Sequence, residues 1–227
     1  VNDDSSDVLS VARVDAAEAV RDLVHALSAH DADDAVLDDV TDAVRGLVAE
    51  LAQAPRRARV IPEFGDAKRP GSRPSDRRRY AMADRAVAGP ANPTSIEIRD
   101  TRMDGNEAIA EVVFGPAFEG ALGRVHGGMV AAAFDDLAGH ALSFAGRPGF
   151  SVRLEVMFRA PVPVEVPVEF RVRMREQRGR KVYAEGEATL DGQVLATTEV
   201  VFVTVAQDHF ETHAHELLGR ERPNVPE

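Results

Sequence analysis

The chain of 227 residues has no cysteine, no tryptophan and only two tyrosines. Without cysteine there is no disulfide framework, no thiolate metal centre and no cysteine nucleophile. No run of about 18 apolar residues occurs, which argues against a spanning helix. The opening VNDDSSD lacks the basic start and apolar core of a signal peptide. A cytoplasmic protein without membrane association is therefore expected.

Charge of both signs is present, but it is segregated. Residues 1–54 hold 13 acids against three arginines, close to the whole net charge of -11. Residues 55–79, PRRARVIPEFGDAKRPGSRPSDRRR, reverse the sign with nine Lys or Arg against three acids, four prolines and two glycines. Such a stretch cannot build a core and reads as the start of a linker, whose basic side chains are candidates for phosphate contacts. The domain boundaries expected are an acidic helical extension (1–54), a basic linker (55–93), a catalytic or binding domain (94–205) and a polar tail (206–227).

Within the acidic extension, Val20, Leu23, Val24 and Leu27 recur at helical spacing, as do Leu37, Val40, Val44, Leu47, Val48 and Leu51 after HDADD. This predicts two amphipathic helices joined by an Asp-rich turn, acting as a lid or an oligomerisation arm. The acidity excludes a nucleic-acid-binding helix-turn-helix, since phosphate would be repelled.

From residue 94 the period becomes two. SIEIRD and NEAIAEVVF flank a turn near Asp104 and Gly105, and further strand-like runs cover 149–159, 164–176, 180–190 and 193–205, the last two joined by DGQ. Between the second and third runs lies GRVHGGMVAAAFDDLAGHAL, residues 123–142. The pattern predicts an α+β fold in which about six mostly antiparallel strands cover one long helix.

A helical wheel places Met129, Val130, Phe134, Leu137, Ala141 and Phe144 on one side, the face expected to be buried. Ala131, Ala132, Asp135, Ala138, Gly139 and Leu142 fall opposite, and Asp136 and His140 lie at the border, one turn apart. The HGG entry offers free backbone N–H groups suited to a developing oxyanion. Asp135 lies eight residues past Gly127, roughly 12 Å along a helix, so one copy cannot bring both groups to one carbon. Two helices antiparallel across a two-fold axis can, which predicts an obligate dimer with shared sites.

HGG with an acid nine positions after the histidine, followed by PGFSVRLEVMFRAPVPV, QRGRKVYAEGEATL and VLATTEVVFV, resembles the hotdog-fold acyl-CoA thioesterases of the PaaI-like, thioesterase-superfamily type. The resemblance covers about residues 94–205 and excludes the N-terminal helices. It implies a hotdog fold and hydrolysis of acyl-CoA to the free acid and coenzyme A. It assigns Asp135 as nucleophile or general base, Gly127 as the N–H donor to the thioester carbonyl, Gly128 as support for that turn, His126 as the head of the motif and Ser151 as a hydroxyl that helps hold the attacking water. Some relatives carry asparagine where this chain has Gly120, so that contact is absent or passes to another group such as Glu119.

The phosphates of coenzyme A call for basic groups at the mouth of the site. Arg180 and Lys181 in RGRK are the first choice and Arg159 the second. No cofactor is expected, because a thioester is already activated and needs only a positioned base and oxyanion donors. HFETHAHE places His209, His213 and His215 close together, but no acid completes a convincing metal-ligand set. The expected partners are acyl-CoA and a second copy of the chain, as a homodimer or a tetramer of two dimers. A non-catalytic acyl-CoA sensor on the same core is the alternative.

Overall fold

The computed structural model describes residues 10–56, 83–147 and 149–206. The basic stretch beyond Arg56 as far as residue 82 and the histidines of HFETHAHE lie outside the described residues.

The two N-terminal apolar stripes form helices α1 (Val11–Ala29) and α2 (Asp34–Leu51), separated by residues 30–33 as the Asp-rich turn predicts. Among the described residues most of each stripe is left uncovered, with Leu23 and Val40 half-buried. Val20, Val24 and Leu27 of α1 and Leu37, Val44, Leu47, Val48 and Leu51 of α2 are exposed, and α2 has no buried residue. α1 instead docks by a more polar seam of Ala17, Arg21 and His25. One guanidinium nitrogen of Arg21 donates to the carbonyls of Pro90 (3.2 Å) and Asn92 (2.7 Å) and to Ser95 Oγ (3.2 Å). This gathers three acceptors at one point, so the contact is specific rather than merely apolar.

The remaining chain forms a six-stranded antiparallel sheet around one helix. β1 (Glu97–Asp104) and β2 (Glu107–Val113) make the expected hairpin, with Gly105 at φ 59 in the turn. A 3-10 turn (Pro116–Phe118) leads to a small hairpin of β3 (Glu119–Ala121) and β4 (Arg124–Val125), then to helix α3 (Gly127–Phe144). β5 (Gly149–Phe158), β6 (Val168–Arg178), β7 (Lys181–Leu190) and β8 (Gln193–Thr204) complete the sheet, whose order is β1-β2-β6-β7-β8-β5. Asp191 and Gly192, both at positive φ, form the two-residue turn that DGQ predicts. The run expected over 164–176 begins only at Val168. Pro163 and Pro167 have no N–H to donate to a ladder, and Glu165 sits at φ 59, so the chain kinks before pairing.

The concave side of the sheet buries α3 through Val130, Ala133, Phe134, Leu137, Ala138, Ala141 and Leu142. Phe134 packs on Phe170 with ring centroids 4.8 Å apart, and Phe114 joins from 6.1 Å. Each such side chain contributes about 1.5–3 kcal/mol by leaving water.

The buried stripe corrects the wheel. Phe144, expected inside, is 45% exposed, and Met129 is half-buried, whereas Ala138 and Leu142, expected on the open face, are buried. The helix is thus turned about 40° from the expected setting, at about 100° per residue. Large side chains steered the expectation, but small ones pack where the sheet comes closest: Ala133, Ala138 and Ala141 let α3 sink into it. The rotation moves Asp135 from the middle of the open face to the margin of the buried stripe.

Residues 83–96, which the charge pattern divides between the linker and the next domain, pack on the core. Ala83, Ala91, Ser95 and Ile96 are buried, and Ile96 N–H donates to the Val87 carbonyl at 2.7 Å.

Candidate active site

His126 caps α3. Its backbone is extended (φ -60, ψ 129), its Nδ1 accepts from the Gly128 N–H at 3.0 Å, and its own N–H donates to the Phe118 carbonyl at 2.8 Å. The imidazole therefore satisfies one free donor of the helix start and holds the turn, as a capping side chain does. Gly127 follows at the first helical position, and among the described residues its N–H has no acceptor. A Cβ at Gly127 would stand 2.9 Å from Phe158 Cζ, so glycine lets the end of β5 close over this turn. This N–H belongs to the positive end of α3.

Asp135 stands on the same helix at the edge of the core. Its Oδ1 is buried and, among the described residues, is the one buried side-chain polar atom with no hydrogen-bond partner. An unsatisfied buried carboxylate oxygen costs free energy, and it calls for an explanation. Asp136, the next residue, is paired instead. Arg85 Nε donates to its Oδ1 at 3.1 Å, a second guanidinium nitrogen reaches Oδ2, and the same guanidinium donates to the Asp136 carbonyl at 3.2 Å. Arg85 lies 51 positions from Asp136, a partner that the helical spacing to His140 does not predict.

Burial pushes the Asp136 carboxyl above the usual aspartate range. The Arg85 charge and hydrogen bond pull it down by less, and Asp135 adds a further upward push. Since the folded value exceeds the unfolded one, the contribution to stability is complete below the ordinary aspartate pKa of about 3.9 and is lost as pH rises through the folded value. The Tm advantage of the wild type over Asp136→Asn should thus be largest in acid and shrink toward neutral pH. Melting curves across that range check this, and a gap that widens with pH would contradict it.

The other expected residues lie along β5 and its neighbours. A Cβ at Gly149 would meet Leu142 Cδ2 at 3.1 Å, while Phe158 meets Gly127, so β5 runs antiparallel alongside α3. Ser151 is exposed, beside a bulge at Val152, toward the C-terminal end of α3. Val182, Phe202 and Ser151 form one cross-strand row, and Lys181, Val203 and Phe150 the next. Arg180 adjoins them, its Nε donating to the Thr204 carbonyl at 3.2 Å. Ser151, Arg180 and Lys181 thus gather at one end of the sheet. His126, Gly127 and Gly128 occupy the other, with Asp135 between.

Arg159 stands apart from both groups. It lines a hollow on the outer face of the sheet in which Glu107, Glu155, Glu185, Glu187 and Glu199 outnumber Arg159, Arg171 and Arg173, and the last two arginines pair with Glu107. Glu119 is turned into the β3–β4 hairpin, where it accepts from the Gly123 N–H, so it does not replace the missing asparagine. An asparagine at 120 would also bring its Cβ to 2.9 Å from His126 Cα. Neither the outer hollow nor the one beneath α1 is lined by Asp135 or Gly127.

Sequence reasoning missed Arg85 and His25. Arg85 follows an arginine-rich stretch and shares its charge signature, while His25 lies off the apolar stripe of its helix. Nothing in either local pattern announces a long-range partner. Among the described residues no group of His, Asp or Glu is arranged to hold a metal ion, and no helix is long and apolar enough to cross a membrane.

Comparison with known proteins agrees with this architecture. Residues 122–197 match the thioesterase superfamily model. A crystal structure of a thioesterase superfamily protein superposes with a TM-score of 0.68 at 24% identity, covering 86% of this chain and 97% of the other. That coverage exceeds the sheet-and-helix domain, so the shared fold takes in part of the N-terminal extension. Escherichia coli PaaI, from the phenylacetic acid degradation operon, matches 49% of this chain and 80% of its own at 15% identity and a TM-score of 0.45. A Streptococcus mutans protein bound to acetyl-CoA matches 48% and 90% at 11% identity and a TM-score of 0.46. No curated protein matches significantly. The matched segment, about a third of the chain, runs from the β3–β4 hairpin through α3 into β8, and over that span the chain is similar to the thioesterase superfamily.

Proposed function

We propose that this protein is an acyl-CoA thioesterase that works as a homodimer. The observation that carries the reading is the buried, unpartnered Oδ1 of Asp135 on the helix whose first N–H, at Gly127, also has no acceptor. A base and an oxyanion donor are the two groups that thioester hydrolysis needs. They lie eight residues apart, roughly 12 Å along α3, too far for one carbonyl carbon.

A two-fold axis beside β5 closes that distance. Among the described residues β5 is an edge strand, and Val152, Met157 and Phe158 on it are exposed. A partly apolar edge strand invites a second strand. Antiparallel pairing of two such edges lays the Gly127 end of one chain beside the Ser151 end of the other. Each site then combines Asp135, Ser151, Arg180 and Lys181 of one chain with Gly127 of the partner subunit. The partner also supplies a further wall, consistent with neither of the two hollows described above being lined by Asp135 or Gly127.

In this site the thioester oxygen accepts from the N–H of the partner subunit's Gly127. Asp135 either takes a proton from a water that Ser151 helps hold, or attacks the carbonyl itself and is released by water. In both routes the C–S bond breaks, oxygen from water ends in the acid, and coenzyme A leaves as the thiol. Arg180 and Lys181 are the candidates for its phosphates. The test is thiol release from a panel of acyl-CoA chain lengths. Steady turnover of at least one is expected. Tight binding without turnover would overturn the reading in favour of an acyl-CoA sensor.

A further inference from the structure

We propose that His25 of α1 is a positioning residue for the turn that presents the Gly127 N–H, so that the N-terminal helix is a working part of the site. His25 Nδ1 accepts from the Ala117 N–H at 3.2 Å, across 92 positions of sequence. Its ring meets Phe118 edge-on with centroids 5.3 Å apart. On its other side it lies against Gly115, where any Cβ would stand 2.4 Å from the imidazole. The imidazole is therefore seated in the 115–118 turn by a hydrogen bond, a ring contact and a glycine with no room for a side chain.

That turn leads directly to the active helix. The Phe118 carbonyl accepts the His126 N–H at 2.8 Å, and His126 Nδ1 in turn accepts from Gly128. A displacement of residues 115–118 thus moves the cap of α3 and the direction of the neighbouring Gly127 N–H. Oxyanion donors act through placement, and a shift of about 1 Å can cost as much as 10²-fold in rate. α1 is itself fixed to the domain by Arg21, one turn from His25, so the histidine is held from behind.

The kinetic consequence rests on the thioesterase reading, while the structural one does not. His25→Ala should lower kcat about tenfold with KM within about twofold, because placement and not binding is lost. His25→Asn offers an amide oxygen near the position of Nδ1 and should recover kcat to within about threefold of wild type. Amide hydrogen exchange over residues 116–128 should quicken in His25→Ala and return toward wild type in His25→Asn. An active wild type with His25→Ala and His25→Asn impaired alike, in step with their Tm values, would reduce His25 to a docking contact and overturn the proposal. If the wild type turns over no acyl-CoA, the thioesterase reading falls by itself. The exchange comparison then decides the coupling, and equal protection in His25→Ala and wild type would overturn it.

Discussion

Asp135→Ala should lower kcat for acyl-CoA hydrolysis about 10³-fold, or more, while the affinity for a non-hydrolysable thioether analogue stays within about threefold. The asymmetry follows from where the carboxylate sits. Its Oδ1 is buried without a partner, so this oxygen gives the folded chain no hydrogen bond that alanine would forfeit. Removing an unsatisfied buried group tends to be neutral or stabilising, and Tm should hold or rise slightly. The rate should fall because no other acid is free to replace it: Asp136 is tied to Arg85 through both carboxylate oxygens. Steady-state kinetics with calorimetry on the same preparations check this. A modest loss of kcat that tracks a fall in Tm would mean that Asp135 is structural.

Gly127→Pro should be nearly as severe, about 10²–10³-fold in kcat, for a different physical reason. Proline removes one atom group of interest, the N–H, and is well tolerated at the first position of a helix, where that N–H makes no helical bond. The preceding residue must be extended, and His126 at φ -60, ψ 129 already is. The cost is steric: a Cβ at this position approaches Phe158 Cζ to 2.9 Å, but that ring is 55% exposed and can turn aside. Gly127→Ala introduces the same Cβ and keeps the N–H, so it should retain activity within about tenfold of wild type. The difference between the two variants isolates the donor. Equal losses in both would assign the effect to crowding at Phe158 instead.

Much of this was legible in the sequence because it depends on period and on turn chemistry. Alternation of two marked the strands, Asp104–Gly105 and Asp191–Gly192 marked the hairpins, and HGG marked the helix start. The strands departed from the pattern where proline overrode it, at Pro163 and Pro167. The setting of α3 was less legible. A wheel weighted by side-chain size favours Met129 and Phe144, whereas packing under a curved sheet selects Ala133, Ala138 and Leu142. That difference also changed the meaning of the two acids: the rotation leaves Asp135 at the edge of the core with an orphaned oxygen, and Asp136 pairs with Arg85. Long-range polar partners were not legible at all. Arg85 with Asp136, Arg21 with the 90–95 turn and His25 with Ala117 join segments 51 to 92 positions apart, and no local pattern encodes such a pair.

In the proposed dimer a second copy covers the apolar edge of β5, and the exposed stripes of α1 and α2 offer it further surface. A shared active site makes the strongest demand on that copy, since each site must borrow Gly127 of the partner subunit. Co-refolding Asp135→Ala with Gly127→Pro tests this most directly. Random pairing makes half of the molecules heterodimers, each with one intact site built from an unaltered Asp135 and an unaltered Gly127, so the mixture should recover about a quarter of wild-type activity from two inactive parents. A mixture confirmed to contain heterodimers yet no more active than either parent would contradict the account, because both groups would then have to serve from the same chain.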